Sequence, residues 1–154
     1  MKIEETKLHF PTINLRAEKR QNRTYIFDEV RGIYVLLTPE EWVRRHLVAY
    51  LIQHCGASLR SIVEEYPVEL NGMPQRADVV VFDAMANPIV LAECKSTDID
   101  LSKREILSEV FLQTTRYNAI VQARYIILTN GLRHYCYEST TEGYIALHSF
   151  PALG

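Results

Sequence analysis

The 154-residue sequence lacks the features that mark membrane, secreted and disulfide-rich proteins. No apolar stretch approaches the length of a membrane span, and the opening residues, MKIEETKLHF, contain no apolar signal-peptide core. The three cysteines, Cys55, Cys94 and Cys136, are widely spaced and form no paired motif. Because such a set favours buried thiols in a reducing compartment over disulfides or zinc, we expect a cytoplasmic protein with no membrane association.

Charge of one sign is not in excess either, since 17 lysines and arginines are balanced by 19 aspartates and glutamates. The net charge of −2 therefore does not indicate a polyanionic partner. Basic residues do cluster between Arg16 and Arg23, at Arg44 and Arg45, and at Lys103 with Arg104. Each cluster alone is typical of a solvated surface, and it becomes relevant to nucleic-acid binding only where other residues indicate such a site.

Several catalytic motifs are missing as well. The histidines, at positions 9, 46, 54, 134 and 148, show no H-x-x-x-H spacing, and there is no G-x-S-x-G nucleophile elbow. No G-x-x-x-x-G-K-[ST] phosphate loop is present, so these residues carry no motor of the P-loop type. The sequence also shows no repeats and no low-complexity segment.

Length and composition indicate a single domain over residues 1–154. Residues 1–23 are polar with scattered apolar positions, which predicts an N-terminal arm or a peripheral strand. The core is predicted over about residues 24–131, and residues 132–154 contain two apolar runs that predict closing strands.

The first elements of the predicted core are a hairpin and a helix. Two short apolar runs flank Glu29–Gly32, which predicts a hairpin. The helix begins after Thr38, the natural N-cap, with Pro39 at its first position and Glu41 three residues after the cap. Apolar residues then recur at helical spacing until Gly56 ends the element.

The later elements are predicted as three strands, a helix and a further strand, at about residues 63–70, 77–83, 88–95, 102–118 and 123–131. Pro67 favours an edge position for the first of these strands. Ser102 and Glu105 form a capping-box pattern at the start of the second helix. An order of helix, three strands, helix and strand predicts an α/β domain whose mixed sheet is flanked by helices.

The most informative stretch is ADVVVFDAMANPIVLAECKS, residues 77–96. Its two apolar, β-branched runs are typical of strands buried on both faces, yet Asp78 begins the first run and Glu93 and Lys95 end the second. A short connection predicts antiparallel neighbours, so the start of one strand lies beside the end of the other. We therefore expect Asp78 and Glu93 to meet, with Lys95 on the same strand face as Glu93.

Two carboxylates about 4 Å apart repel by roughly 4 kcal/mol at an effective dielectric near 20. A divalent cation offsets this cost, and Mg²⁺ is commonly held by one or two carboxylates with water and phosphate oxygens. Lys95 would then stabilise developing charge or lower the pKa of an attacking water. The alternative is that Asp78 caps a turn while Glu93 and Lys95 form an edge ion pair. The apolar runs on both sides favour the metal site.

The set Asp78…Glu93-Cys94-Lys95 resembles the D…(D/E)-x-K signature of the PD-(D/E)XK nuclease superfamily, although Ala77 stands where the family name has proline. The run QTTRY, residues 113–117, is similar to the Q-x-x-x-Y element of some branches. With TPEEWVRRHLVAYL, RYN and ILTNG, these motifs resemble the N-terminal nuclease region of type I restriction enzyme R subunits over about residues 30–131. The resemblance implies a restriction-endonuclease-like core of order α-β-β-β-α-β.

The resemblance also implies a role for each matching residue. Asp78 and Glu93 would bind Mg²⁺, for which Mn²⁺ would substitute, and Lys95 would be the catalytic lysine. Gln113 and Tyr117 would orient the DNA or the lysine from the following helix, and helical spacing places both on one face of that helix. Without the resemblance, a half-buried glutamine and tyrosine at the end of an apolar stripe explain this pair equally well.

A further acid from the first helix is common in this family. Glu41 is the first candidate for a metal ligand and Glu40 the second. The alternative for Glu41 is purely structural, because it also completes a capping box with Thr38.

Together these expectations describe a Mg²⁺-dependent DNA endonuclease domain that hydrolyses phosphodiester bonds. It would be the nuclease part of a type I restriction enzyme R subunit, or a stand-alone relative of one. Its partners would be double-stranded DNA and the motor, specificity or methylation subunits of a restriction system. Two alternatives stay open, namely a non-catalytic module of the same fold that binds nucleic acid or a partner, and a homodimer that assembles two sites.

Overall fold

The protein is described by a computed structural model that covers residues 2–154. It contains nine strands and two α-helices within that range, arranged as a small antiparallel sheet and a larger mixed sheet. Two short 3₁₀ turns, Ile3–Glu5 and Leu59–Ser61, complete the regular structure of the described residues. No helix within residues 2–154 combines the length and the apolar character needed to span a membrane.

The small sheet is built from the strands β1 (Ala17–Arg20), β2 (Arg23–Asp28) and β3 (Ile33–Leu36), in that spatial order and all antiparallel. The hairpin predicted around residues 29–32 is therefore confirmed, and β1 lies within the segment predicted as an arm or peripheral strand. Gln21 and Asn22 join β1 to β2 with φ angles of 52° and 66°, as a tight hairpin turn requires.

The larger sheet has six strands: β4 (Ile62–Leu70), β5 (Met73–Phe82), β6 (Pro88–Cys94), β7 (Tyr125–Thr129), β8 (His134–Thr140) and β9 (Gly143–Leu147). They lie side by side in chain order, and every pair is antiparallel except β6 and β7. The prediction of an α/β domain with a mixed sheet is confirmed. Pro67 lies in β4 at the edge of this sheet, where its missing N–H is tolerated.

The helix α1 (Pro39–His54) begins as predicted, because the hydroxyl oxygen of Thr38 accepts a hydrogen bond of 3.1 Å from the backbone N–H of Glu41. The helix α2 (Arg104–Val121) connects the parallel strands β6 and β7. The predicted capping box of Ser102 and Glu105 is wrong. The Ser102 hydroxyl donates to Asp100 instead, and α2 begins two residues later than predicted with no side-chain cap.

The two helices cover opposite faces of the larger sheet. Val79, Val81 and Ala92 pack into the core cluster of α1, while Val80 and Leu91 pack into the cluster that contains Tyr117 and Val121 of α2. These alternate side chains are all completely buried, which explains why β5 and β6 read as continuous apolar runs rather than as alternating ones. Any charged side chain at the ends of these strands therefore lies beside a dry core.

Candidate functional site

The hairpin of β5 and β6 brings the carboxylates of Asp78 and Glu93 together. Its register pairs Val79 with Ala92. Because the strands are antiparallel, Asp78, just before Val79, lies opposite Glu93, just after Ala92. The backbone N–H of Asp78 lies 3.4 Å from Glu93 Oε1, and Asp78 Oδ2 accepts a hydrogen bond of 2.8 Å from the backbone N–H of Cys94. The two acids that the sequence places at the hairpin end are thus direct neighbours.

Glu93 is held in its neutral form by this environment. Its side chain is buried, with 3% of the residue exposed. Burial, followed by the nearby Asp78 carboxylate, raises the pKa of Glu93 to about 10, while the charge of Lys95 opposes this shift. Glu93 therefore keeps its proton at neutral pH. A divalent cation has the charge to replace that proton, so this donor pair fits a metal ligand set.

Lys95 lies at the end of a chain of hydrogen bonds that leads back into α2. Its Nζ donates to Gln113 Oε1 at 3.2 Å, and Gln113 Nε2 donates to the Tyr117 hydroxyl at 3.3 Å. The Tyr117 hydroxyl in turn donates to Gln75 Oε1 at 3.4 Å. The first three residues belong to the motifs quoted above, whereas no sequence motif marks Gln75. The arrangement fixes the direction of the ammonium group, whose charge acts on the Glu93 carboxyl.

The two acids at the start of α1 point to different places. Glu41 accepts hydrogen bonds from Arg44 at 2.7 and 3.0 Å and from Arg31 and Arg45 at 3.2 Å each. Burial would raise the pKa of Glu41, but these arginines lower it overall. The pKa of Glu40 responds to a different charge, because burial and then the Asp78 carboxylate raise it. Of the two, Glu40 is therefore the acid on which the charge of Asp78 acts.

A cavity of about 270 Å³ opens beside Asp78. Its polar lining comes from both helix and sheet and consists of Arg31, Thr38, Glu40, Glu41, Arg44, Glu65 and Asp78. Within residues 2–154, no three His, Cys, Asp or Glu side chains lie close enough together to enclose a metal ion. A metal ion bound here would therefore take only part of its coordination shell from the carboxylate pair and the rest from water, phosphate or backbone oxygens. That division is the usual one for Mg²⁺.

Glu65 was not singled out from the sequence, yet its backbone is unusual. It has a φ of 54° in the middle of β4, a left-handed conformation that costs a non-glycine residue roughly 1–2 kcal/mol. The ladder pairs Glu64 with Val79 and Tyr66 with Ala77, so Glu65 faces Asp78 without forming a regular pair. The distortion leaves the Asp78 carbonyl free to accept from Arg44 Nη1 at 3.3 Å, and the same nitrogen donates to Glu65 Oε1 at 2.9 Å.

This strained position yields a stability prediction. We expect Glu65→Val to lower the free energy of unfolding by about 2 kcal/mol, because a β-branched residue resists the left-handed backbone. Glu65→Gly should be close to neutral, since relief of strain offsets the loss of a partly exposed ion pair with Arg44. Urea unfolding of both variants measures the difference. Glu69→Val, at an exposed and regular position of β4, is the matched control and should change stability little. Equal effects of valine and glycine at Glu65 would contradict the strain.

Next to the cavity lies a network of buried charges made up of Asp28, Arg45 and Glu64, which no sequence motif marks. Arg45 donates to Asp28 at 2.7 Å and also to Glu64. Burial would raise the pKa of Asp28, but a hydrogen bond from Glu64 and the charge of Arg45 hold it well below its usual range. Burial, followed by the hydrogen bond to Asp28, raises the pKa of Glu64 to about 7. The network connects β2, α1 and β4, so it fixes the strand that carries Glu65.

A comparison with known protein families places these residues in context. The family model described as "Type I restriction enzyme R protein N terminus (HSDR_N)" matches residues 39–151, which is most of the chain. The matched range runs from the first residue of α1 to beyond β9 and includes Asp78, Glu93, Lys95, Gln113 and Tyr117. The small sheet of β1 to β3 lies outside it. A search of curated proteins found no match.

Proposed function

Because the chain belongs to the type I restriction enzyme R protein N-terminus family, we propose that it is a Mg²⁺-dependent endonuclease domain of the PD-(D/E)XK superfamily. It hydrolyses phosphodiester bonds of double-stranded DNA in the cytoplasm, together with the motor, specificity or methylation subunits of a restriction system. The observation that carries the proposal is the apposition of Asp78 and Glu93, where burial and the Asp78 charge raise the pKa of Glu93, with Lys95 two residues beyond Glu93 in the chain. A restriction-endonuclease-like core is part of the same proposal.

In this proposal Asp78 and Glu93 would hold the metal ion, and water or phosphate oxygens would supply further ligands. When bound, Mg²⁺ supplies a water of lowered pKa and neutralises charge on the phosphate. The Lys95 ammonium group stabilises the negative charge that develops on the phosphate oxygens during attack. Gln113 fixes the direction of Lys95, and Tyr117 fixes Gln113, so these two act as positioning residues.

Glu40 replaces Glu41 as the proposed acid from α1. Both acids line the cavity, but only the pKa of Glu40 is raised by the charge of Asp78, whereas the Glu41 carboxylate is occupied by three arginines. No three such acids lie close enough in residues 2–154 to enclose an ion directly. Glu40 would therefore accept a hydrogen bond from the attacking water and orient it.

Metal binding is the first test, because it does not require a partner subunit. We expect calorimetry to detect Mn²⁺ and Mg²⁺ binding to the wild-type protein and no binding to Asp78→Asn, which removes a ligand charge while preserving shape. Asp83→Asn is the matched control. This aspartate lies in the turn after β5, where it accepts backbone hydrogen bonds from Met85 and Asn87, and its loss should leave metal binding unchanged.

Cleavage of plasmid DNA then separates binding from chemistry. Lys95→Ala should retain the metal but lose at least about 100-fold in cleavage rate, since the group that stabilises the transition state is gone. Undiminished cleavage by Lys95→Ala, or metal binding that survives Asp78→Asn, would contradict the proposal. Metal-independent DNA binding by a wild-type protein that binds neither ion would instead favour the non-catalytic module.

A further inference from the structure

The small sheet has one face turned to the core and one turned to solvent. Along β2, Ile26 and Asp28 are buried whereas Tyr25 and Phe27 are only partly covered. Cross-strand pairing places Glu18 and Leu36 on either side of Tyr25. The outward side chains and the neighbouring Arg16 form what we call the arginine–aromatic face, made up of Arg16, Arg20, Arg23, Tyr25, Phe27 and Tyr34.

The aromatic rings hold two of these arginines in place. The Arg16 guanidinium carbon lies 3.9 Å from the centre of the Phe27 ring. That of Arg20 lies 5.0 Å from the centre of the Tyr25 ring and 5.5 Å from that of Tyr34. Cation–π contact and stacking restrict both guanidinium groups, so less conformational entropy is lost when they bind a ligand. Their exposed N–H groups match the geometry of phosphate oxygens.

Local charge on this face is opposite to that of the whole molecule. The face carries three arginines and one carboxylate, Glu18, while the chain has a net charge of −2. Glu18 accepts from Arg20 at 2.8 Å, but this ion pair is exposed and therefore weak. A positive patch on an acidic protein favours a polyanionic ligand at this position.

The face also adjoins the candidate site. Leu36, the cross-strand partner of Tyr25, lines the same cavity as Asp78. Two strand spacings separate β3 from β1, so the Arg20 strand lies about 10 Å beyond the cavity rim. That distance corresponds to about three base pairs along a duplex.

We propose that the arginine–aromatic face binds the phosphate backbone of double-stranded DNA next to the bond that is cut. The identity of the ligand as DNA rests on the proposed function, but the binding surface lies outside the residues that the family model matches. Guanidinium groups cover ring faces that unpaired bases would need for stacking, so the face suits a duplex backbone better than a single strand.

Fluorescence anisotropy with a labelled duplex of about 20 base pairs tests this proposal, in chelator and at KCl from about 50 to 200 mM. The double variant Arg16→Gln/Arg20→Gln should bind about 10-fold more weakly, and the slope of log affinity against log salt should fall by about 2. Arg16→Lys/Arg20→Lys keeps the charge without the planar group and should retain most of the slope.

Arg124→Gln is a closely matched control. Arg124 lies 5.0 Å above the Tyr125 ring and pairs with Glu138 at 3.0 Å, as Arg20 does with Tyr25 and Glu18, but it is remote in sequence from the face. Its replacement should not change DNA binding. The proposal is overturned if the glutamine double variant matches wild type in affinity and slope, if only single-stranded DNA binding is lost, or if the wild type binds no duplex at the lowest salt.

Because the DNA-binding measurement is made without divalent ions, its outcome does not depend on whether the protein is a metal-dependent nuclease. DNA binding through the face by a protein that binds no Mn²⁺ would reject the nuclease and retain the surface. Metal-dependent cleavage with no effect of the glutamine double variant on duplex binding would retain the nuclease and reject the surface.

Discussion

Replacing Glu93 with glutamine is expected to stabilise the fold at alkaline pH. Burial and the Asp78 carboxylate raise the pKa of Glu93 from 4.5 to about 10. The folded state thus keeps a proton that the unfolded chain releases above about pH 4.5. The contribution of this carboxyl to stability is complete below that pH and is lost as the pH rises towards 10. Glutamine has a similar shape but no titrating proton, so the variant should not show this loss.

Urea unfolding in chelator, from about pH 6 to about pH 9, measures the effect. The free energy of unfolding of wild type should fall relative to Glu93→Gln by at most about 1.4 kcal/mol per pH unit, which amounts to about 2–4 kcal/mol over this range. Glu69→Gln, an exposed carboxylate on β4, should follow wild type. Parallel curves for wild type and Glu93→Gln would show that the carboxyl is not destabilised by its surroundings.

The same variant should lose Mn²⁺ binding in calorimetry, since an amide cannot replace the carboxylate charge. Gain of stability with loss of binding distinguishes the metal site from a structural ion pair between Glu93 and Lys95. In the structural case, neutralising Glu93 would leave Lys95 without its partner and would lower stability instead. A carboxyl that lowers the free energy of unfolding of the protein is typical of a functional site, where activity is retained at the expense of stability.

A loss of about 3–5 kcal/mol in the free energy of unfolding is expected for Arg45→Met. Arg45 is 4% exposed and donates to Asp28, Glu64 and Glu41, so its removal leaves buried carboxylates without their shared cation. Glu64 Oε1 already lacks a hydrogen bond, although Arg31 Nε lies 3.2 Å away. The charge of Arg45 lowers the pKa of Glu64, so the loss should increase as the pH rises above about 7.

Urea unfolding at pH 6 and pH 8 checks this prediction, with Arg124→Met as control for an exposed arginine in an ion pair. That control should change the free energy of unfolding by less than about 0.5 kcal/mol. Adding Glu64→Gln to Arg45→Met should restore part of the loss, because one of the unpaired charges is then absent. A change below about 1 kcal/mol for Arg45→Met would mean that water reaches these carboxylates.

Sequence patterns were sufficient for the elements whose signals are local. The N-cap at Thr38, the apolar runs of β5 and β6, and the edge position of Pro67 follow from rules that act over a few residues. The capping box at Ser102 failed because another local partner, Asp100, competes for the same hydroxyl. A pattern of residue types does not determine which of two nearby groups the serine hydroxyl binds.

The pairing of Asp78 with Glu93 was within reach of the sequence, because a short turn and two apolar strands define the register of an antiparallel hairpin. The choice between Glu40 and Glu41 was not. Helical spacing indicates the contacts of Glu41 with Arg44 and Arg45, one turn later in α1, but it contains no information about Arg31, which approaches from the turn between β2 and β3. The left-handed Glu65 and the hydrogen bond of Arg44 to the Asp78 carbonyl depend in the same way on contacts between β4, β5 and α1. Local sequence thus determines which residues share a strand or a helix, whereas the charge environment of each acid arises only when distant elements pack and exclude water.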